Sequence, residues 1–510
     1  MRVHEEKNAV AFLCLADRTV PEEITAECLL PDYKGAVSRL LQVRPAFLQT
    51  GHFIGGNKAD ISGRVRFDAL YMNADGVPES VACEESYAFS VPVDLGGYRT
   101  EEGVTFDVTV LPESVTTRVA APRRLNIRCR FCVRVRIFAA RSLAAELPEA
   151  TADRVETLCE KAEYGRHFAG QGTAEVTGEV PFEGGGEPVV LDARGELYLP
   201  DVTAAGDGVR CAGEVIVTLL CRREGADEDG EAFTLQKRLP FEELVAADGV
   251  TSECGAAAAG EVTEVRVTVG EGALSVVAAV RLSVTATVTD PVLYVRDLFL
   301  PGHTAACRVE EATLPAPGAS FNRHFSISST CPRAGVLPAG ALPIDAFGEA
   351  EISEKTVEGG RTVLAGTVVC HVLYRTGAEY ASGEADFMFR VNVEGDLSAA
   401  DVRASAPILR LKEEGENLTL DGELQFSVTA GGTVTVRRVA SVVFTPAAEV
   451  RTADMELCYP APDETLWDVA ARYGVSPARI AADNGIEGEA PGRRDSLDGV
   501  RWLLIPGAET

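Results

Sequence analysis

The sequence predicts a mostly β protein: three tandem antiparallel β-rich repeat domains followed by a small α+β domain of βααβ order. Three observations predict it. From about residue 50 to 450, apolar residues alternate with polar ones, the period of strands, with Gly, Pro, Asp and Asn between the runs. Three strand-like segments recur in fixed order three times along that stretch. Residues 456–510 leave that recurring pattern, and the order of their elements comes from a resemblance set out below.

The elements follow in chain order. Asp32 followed by Tyr33–Val43 predicts a short helix, with Asp32 as its cap and Val37, Leu40 and Leu41 on one face. The first recurring strand is Ile61–Tyr71, then Cys211–Cys221, then Leu364–Tyr374; their glycines Gly63, Gly213 and Gly366 lie 150 and 153 residues apart. A charged, Gly-containing turn leads each time into a second strand, Tyr87–Val93, Phe233–Phe241 and Phe387–Val393, so each pair reads as a hairpin. A longer alternating strand follows: Leu125–Phe138, Leu274–Val288 and Leu418–Ala430. The predicted domains are 1–145, with the short N-terminal helix, 146–295, 296–450 and 456–510. A period near 150 residues is too long for a solenoid unit.

The strand Leu125–Phe138 shows how such a sheet is fixed. Leu125, Ile127, Cys129, Phe131, Val133, Val135 and Ile137 fall on one face, and Arg128, Arg130, Arg134 and Arg136 on the other. Burying the seven contributes about 10–20 kcal/mol before entropy is subtracted. A one-residue slip would bury the arginines, so the register is specified. The four arginines either pair with carboxylates on neighbouring strands or form a basic face that docks an acidic partner or membrane phosphates. The equivalent strands differ: the second carries Ser275, Ser283, Thr285 and Thr287 beside Arg281, and the third carries Asp421 and Glu423.

Composition excludes several classes. The chain has 510 residues, 46% hydrophobic and 25% charged, ordinary values for a folded protein of several domains. A net charge of −29 argues against nucleic acid and simple adsorption to anionic lipid. The polar start Met1–Asn8 and the short apolar run Ala9–Ala16 do not form a secretion signal, and no run reaches the ~18–20 apolar residues of a membrane span, so the expected location is the cytosol. Thirteen mostly single cysteines fit reduced thiols there. Cys129 and Cys132 have a CxxC spacing, but on a strand they point to opposite faces. The six histidines lack metal-ligand spacing, so neither metal nor cofactor is expected. The acidic stretch Glu224–Glu231 reads as a hairpin loop, and Phe182–Glu187 lacks the lysine of a phosphate loop. No nucleophile elbow, Walker loop or zinc-protease motif is present, and the chain is read as non-enzymatic.

Residues 456–510 resemble a LysM domain. The resemblance rests on Leu457–Trp467 with its Thr465-Leu-Trp, then Asp468–Val475 ending Tyr-Gly-Val, Ser476–Ile486 with Asn484, and the closing Trp502–Pro506. It implies a fold of two strands around two helices and binding of N-acetylglucosamine-containing glycans or of proteins. The contact loops it implies are Asp463, Glu464, Thr465 and Leu466, and Asn484, Gly485 and Ile486. The family pattern has Gly-Asp-Thr-Leu, where this chain has Asp463-Glu-Thr-Leu, which adds a charge and restricts the backbone. Leu466, Trp467, Val469, Ala470 and Ile480 are also expected core residues, and Asp463, Glu464 and Asn484 equally suit capping and turn roles.

The earlier repeats, with Leu30-Pro-Asp-Tyr-Lys34, Arg39–Val43, Leu70-Tyr71 and Tyr87–Val93, look like SPOCS repeats of spore coat morphogenetic proteins. Three repeats and one LysM resemble the SipL-type arrangement. That resemblance implies a mother-cell cytoplasmic coat scaffold at the forespore surface. Its partners would be a SpoIVA-type coat morphogenetic ATPase and other coat proteins, with LysM as the docking module. The alternatives are a cell-wall-associated protein binding peptidoglycan or a chitin-like glycan, and a structural protein assembling through strand edges.

Overall fold

The computed structural model describes residues 9–507 apart from 56, 94–103, 150–153, 183–187, 224–231, 271, 378, 448–454, 487–496 and 498–499. The Met1–Asn8 start, the Glu224–Glu231 stretch and all but the first residue of Phe182–Glu187 lie outside the described residues. The protein is mostly β, built of antiparallel sheets, with two short helices near the C-terminus. No helix among the described residues is long and apolar enough to cross a membrane.

The same six-strand frame occurs three times. The first contains β1 (Val10–Leu29), β2 (Val37–Gly55), β3 (Lys58–Asn73), β4 (Pro78–Pro92), β5 (Val104–Ala121) and β6 (Arg124–Ser142). They form two sheets, ordered β2-β3-β4 and β1-β6-β5. The second contains β7 (Glu156–Pro181), β8 (Pro188–Ala205), β9 (Gly208–Arg223), β10 (Phe233–Ala246), β11 (Gly255–Val269) and β12 (Ala273–Phe299), ordered β8-β9-β10 and β7-β12-β11. In the third, β13 (His303–Pro315) and β14 (Phe321–Pro332) precede β15 (Leu342–Glu358), β16 (Arg361–Thr376) and β17 (Glu379–Glu394). Then come β18 (Asp401–Glu414), β19 (Asn417–Thr429) and β20 (Thr433–Pro446). Their sheets are β15-β16-β17, β14-β19-β18 and the pair β13-β20.

The extra pair is the same ladder interrupted. β7 pairs with β12 without a gap from Glu156↔Phe299 to Pro181↔Ala273. In the third frame β14–β19 stops at Phe321↔Val428 and β13–β20 resumes at Pro315↔Thr433. Pro317 has no N–H to give the ladder, and Gly431-Gly432 weakens the facing strand.

The look-alike segments take equivalent places. Ile61–Tyr71, Cys211–Cys221 and Leu364–Tyr374 are in the middle strands β3, β9 and β16. Leu125–Phe138 lies in β6, and Leu274 and Leu418 open the matching stretches of β12 and β19, the middle strands of the other sheets. Each recurring glycine faces a bulge, between Phe47 and Thr50, Tyr198 and Asp201, and Ile352 and Glu354. The bulged backbone presses inward: a Cβ at Gly213 would run into the Tyr198 carbonyl, and one at Gly366 into that of Glu351. Each frame closes its own core, around Phe67 and Phe131, around Val217 and Leu282, and around Phe387 and Phe426.

Two expectations are corrected. Tyr33–Val43 is not a helix: residues from Val37 onward form β2, and Asp32 is exposed rather than a cap. Bulges between Val37 and Arg39 and between Leu40 and Gln42 break the period of two. Those breaks put Val37 and Leu41 inside at a spacing that imitates a helix face. The division at 295/296 also falls inside β12, which runs to Phe299.

The three frames meet at a pseudo-threefold hub. Leu41, Leu191 and Ile344, one from each, cluster with Leu70, Leu220 and Leu373. Beside them two ion pairs run from frame to frame. Arg44 of the first grips Asp192 of the second, with Nη2 donating to Oδ1 at 3.0 Å and Nη1 at 2.9 Å from Oδ2. Arg194 of the second grips Asp345 of the third, with Nη2 donating to Oδ1 at 2.8 Å and to the Ala346 carbonyl at 3.1 Å.

Candidate functional site

The C-terminal unit begins with β21 (Met455–Cys458), which pairs with β22 (Leu503–Pro506) through Leu457↔Leu504 and Cys458↔Leu503. Between them lie α1 (Leu466–Tyr473) and α2 (Pro477–Asn484). Thr465 caps α1: its hydroxyl accepts from the Asp468 N–H, and Asp468 accepts the Thr465 N–H in return, a capping box. Gly474 and Gly485 end the helices in the left-handed conformation. Cys458, Leu466, Trp467, Val469, Ala470, Ile480, Leu503 and Ile505 form the core.

The two loops implied as a contact surface divide by role. Leu466 is buried, so its side chain is packing. Glu464 accepts the Ala461 N–H at 2.8 Å and pairs with Arg472 at 2.9 Å. The Asn484 amide donates to the carbonyls of Ile480 and Leu504, at 2.8 and 2.7 Å, and its oxygen accepts the Leu504 N–H at 2.6 Å. It therefore brackets α2 to β22. Ile486 packs against the core while half-exposed. Asp463 and Gly485 remain exposed at the loop tips.

Asp463 stands where the family pattern has glycine and keeps a glycine-like backbone, at φ 65°. Asp tolerates this conformation better than most residues but still at a cost. Asp463→Gly is expected to stabilise this unit by about 0.5–1 kcal/mol, read as a higher midpoint for its unfolding in the full chain.

The unit does not hang free. Trp467 of α1 is 2% exposed; its indole stacks at a tilt on Phe299 of β12, with centroids 5.1 Å apart, and Leu158 of β7 joins the same core. The indole N–H donates to Asp297 at 3.0 Å. The paired ends of β7 and β12 thus complete its core.

A surface that the loop reading missed lies on the outer side of β21 and β22. Met455 and Leu457 alternate with Cys458 on β21, and Tyr459 directly follows β21 as Trp502 directly precedes β22, so both adjoin the last pair Cys458↔Leu503. They are 59%, 46%, 70% and 54% exposed, while Cys458, Leu503 and Ile505 fill the inner face. The alternation Met455-x-Leu457-x-Tyr459 was the signal in the sequence.

Residues 461–490 match the family described as LysM domain. The chain carries a LysM domain near its C-terminus. Such a domain implies binding of peptidoglycan or related glycans. No curated protein and no solved structure matches the chain.

Away from LysM, the arginines of β6 do not form an open basic face. Arg128 pairs with Glu23 of β1 at 2.6 Å, and exposed Arg130 stands opposite Glu23 in the ladder. Arg134 pairs with Asp17 at 3.0 Å and with Asp401 of the third frame at 3.3 Å. Arg136 is buried, donating to Asp107 and, at 3.3 Å, to the Ala430 carbonyl. Burial opposes ionisation of Asp107, but Arg136 and Arg403 outweigh it and hold its carboxyl low. The Cys129 thiol is pushed up to about 11 by burial, and the Cys132 thiol to about 11 by burial and the Glu113 carboxylate. Neither has the depressed pKa of a reactive thiol.

Proposed function

We propose that this chain is a non-enzymatic scaffold that captures a protein partner through its LysM domain, in the manner of a spore-coat tether acting in the mother-cell cytoplasm at the forespore surface. The observation that carries this reading is the outward sheet face of LysM. Met455, Leu457, Tyr459 and Trp502 expose two aromatic and two other large apolar side chains on and beside one short strand pair, the residue types of a protein-interface centre. Anchoring through Trp467 supports the same reading, since a domain fixed to the β body transmits the position of its partner to that body. The expected partner is a SpoIVA-type coat ATPase, with other coat proteins held by the repeats.

The test is capture of a purified ATPase of that type by the full chain and by Tyr459→Ser/Trp502→Ser, both exposed positions that leave the core intact. The double variant is expected to capture about tenfold less. The second reading is glycan binding, favoured by the exposed Asp463 and Gly485 tips and by the family match. Sedimentation with peptidoglycan by both proteins alike, without ATPase capture, would replace the first reading with the second.

A further inference from the structure

The three frames also meet around an enclosed space. β5, β11 and β18 each stand last in their sheet, paired on one side only, by β6, β12 and β19. Along those middle strands Arg134, Ser283 and Ser427 hold one place, each nine residues after Leu125, Leu274 and Leu418. Their partners across the ladder are Thr109, Ala259 and Arg403. These three, one from each frame, line a single cavity of about 250 Å³. One position of the repeated fold thus supplies a hydroxyl, a methyl and a guanidinium to the same space.

The charges on its wall do not balance. Glu261, the one carboxylate among its described lining residues, is taken by Arg281 at 2.5 Å. Arg403 has no such partner. Its Nη2 donates to the Thr109 hydroxyl, and its one ion pair among the described residues is with Asp401 at 4.0 Å, a carboxylate that Arg134 already holds at 3.3 Å. Burial pulls the Arg403 guanidinium below its ordinary value despite Asp107 and Asp401, so a second anion beside it would relieve a real cost. The neutral groups on the wall are donors too. Gln425 is only 5% exposed; its oxygen accepts the Leu199 N–H at 2.6 Å, which leaves its NH2 as a donor at the cavity it lines. Ser283 and Ser427 line the same space with hydroxyls.

We infer that this cavity holds a small tetrahedral oxyanion of the phosphate class, its charge met by Arg403 and its oxygens by the Gln425 amide and the Ser283 and Ser427 hydroxyls. The volume lies below the roughly 300–1,000 Å³ of sites for drug-sized ligands, so the anion is small. Donors arriving from two frames suit four oxygens better than the two of a carboxylate, and a guanidinium fork matches phosphate geometry. With a net charge of −29 the chain does not gather anions by its long-range field, so binding rests on these donors alone. Bound there, the anion would join Ser283 of the second frame to Arg403 of the third.

The experiment is calorimetric titration of the full chain with inorganic phosphate, with ionic strength held constant by chloride. Arg403→Gln is compared with Arg410→Gln, which takes the same charge from an exposed position on the same strand. One saturable site, weakened about tenfold or more by Arg403→Gln and unchanged by Arg410→Gln, is the expected result. Ser427→Ala removes only a hydroxyl and should weaken binding about threefold, which decides the matter if Arg403→Gln does not fold. No saturable binding would overturn the site, as would equal weakening by both arginine variants, or full affinity in Ser427→Ala together with a folded Arg403→Gln. Displacement of phosphate by an equal concentration of acetate would overturn the tetrahedral assignment.

Discussion

Arg44→Met should destabilise the three-frame body by about 3–5 kcal/mol at neutral pH, because it leaves a buried carboxylate without its counter-charge. Asp192 is held in an inter-frame position with its side chain only 10% exposed. Burial opposes its ionisation, yet Arg44 first and Arg194 second hold its carboxyl below the ordinary range. A depressed carboxyl contributes stability above its unfolded pKa and loses it as pH falls through the folded value. The penalty of Arg44→Met should therefore be largest at neutral pH and shrink in acid, where Asp192 takes up a proton. Denaturant titrations at neutral and acidic pH measure this. Asp192→Leu added to Arg44→Met should recover most of the loss, since the lone charge is then gone; a double variant as weak as the single would show that Arg44 acts by packing instead.

Trp467→Ala should cost about 3–5 kcal/mol and release LysM from the β body. The indole fills the junction between Val469, Ile480, Phe299 and Leu158, and its N–H satisfies Asp297. Its loss opens a cavity and takes the indole donor from Asp297 Oδ2, while Oδ1 keeps the Leu298 N–H. Limited proteolysis should cut between β20 and β21 faster in the variant, and small-angle scattering should show a larger particle. Asp297→Leu removes this hydrogen bond, and that from the Leu298 N–H, but keeps the indole packing, and should give a smaller loss. If the variant stayed compact and resistant, the contact would not be what seats LysM.

Local pattern carried much of this protein. Alternation marked the buried face of β6, and its seven apolar residues are all fully buried. The two glycine stops and the helix core of LysM were readable because each is decided within a turn or two of chain, but the cap of α1 is Thr465, not Asp463 or Glu464, which the sequence offered for that role. Where bulges interrupted the period, the reading failed: Val37, Leu40 and Leu41 imitate a helix only because β2 slips register twice. The loop residues were recognised, but not that Glu464 and Asn484 spend their polar atoms inside the domain, since their partners Arg472 and Leu504 lie eight and twenty residues away.

By itself the sequence determined the three recurring strands of each frame, the inward face of β6 and the threefold recurrence, because these follow from side-chain period over short distances, and its motifs marked the LysM domain. The fate of the outward faces was decided only by tertiary structure. Arg136, Thr285 and Thr429 hold the same place on β6, β12 and β19, polar and outward by period, and all three are buried. Arg128 and Arg130, on the same face of the same strand, stay in water. Period tells which way a side chain leaves its own sheet. Whether another frame stands there depends on contacts hundreds of residues apart, which leave no mark in the local pattern.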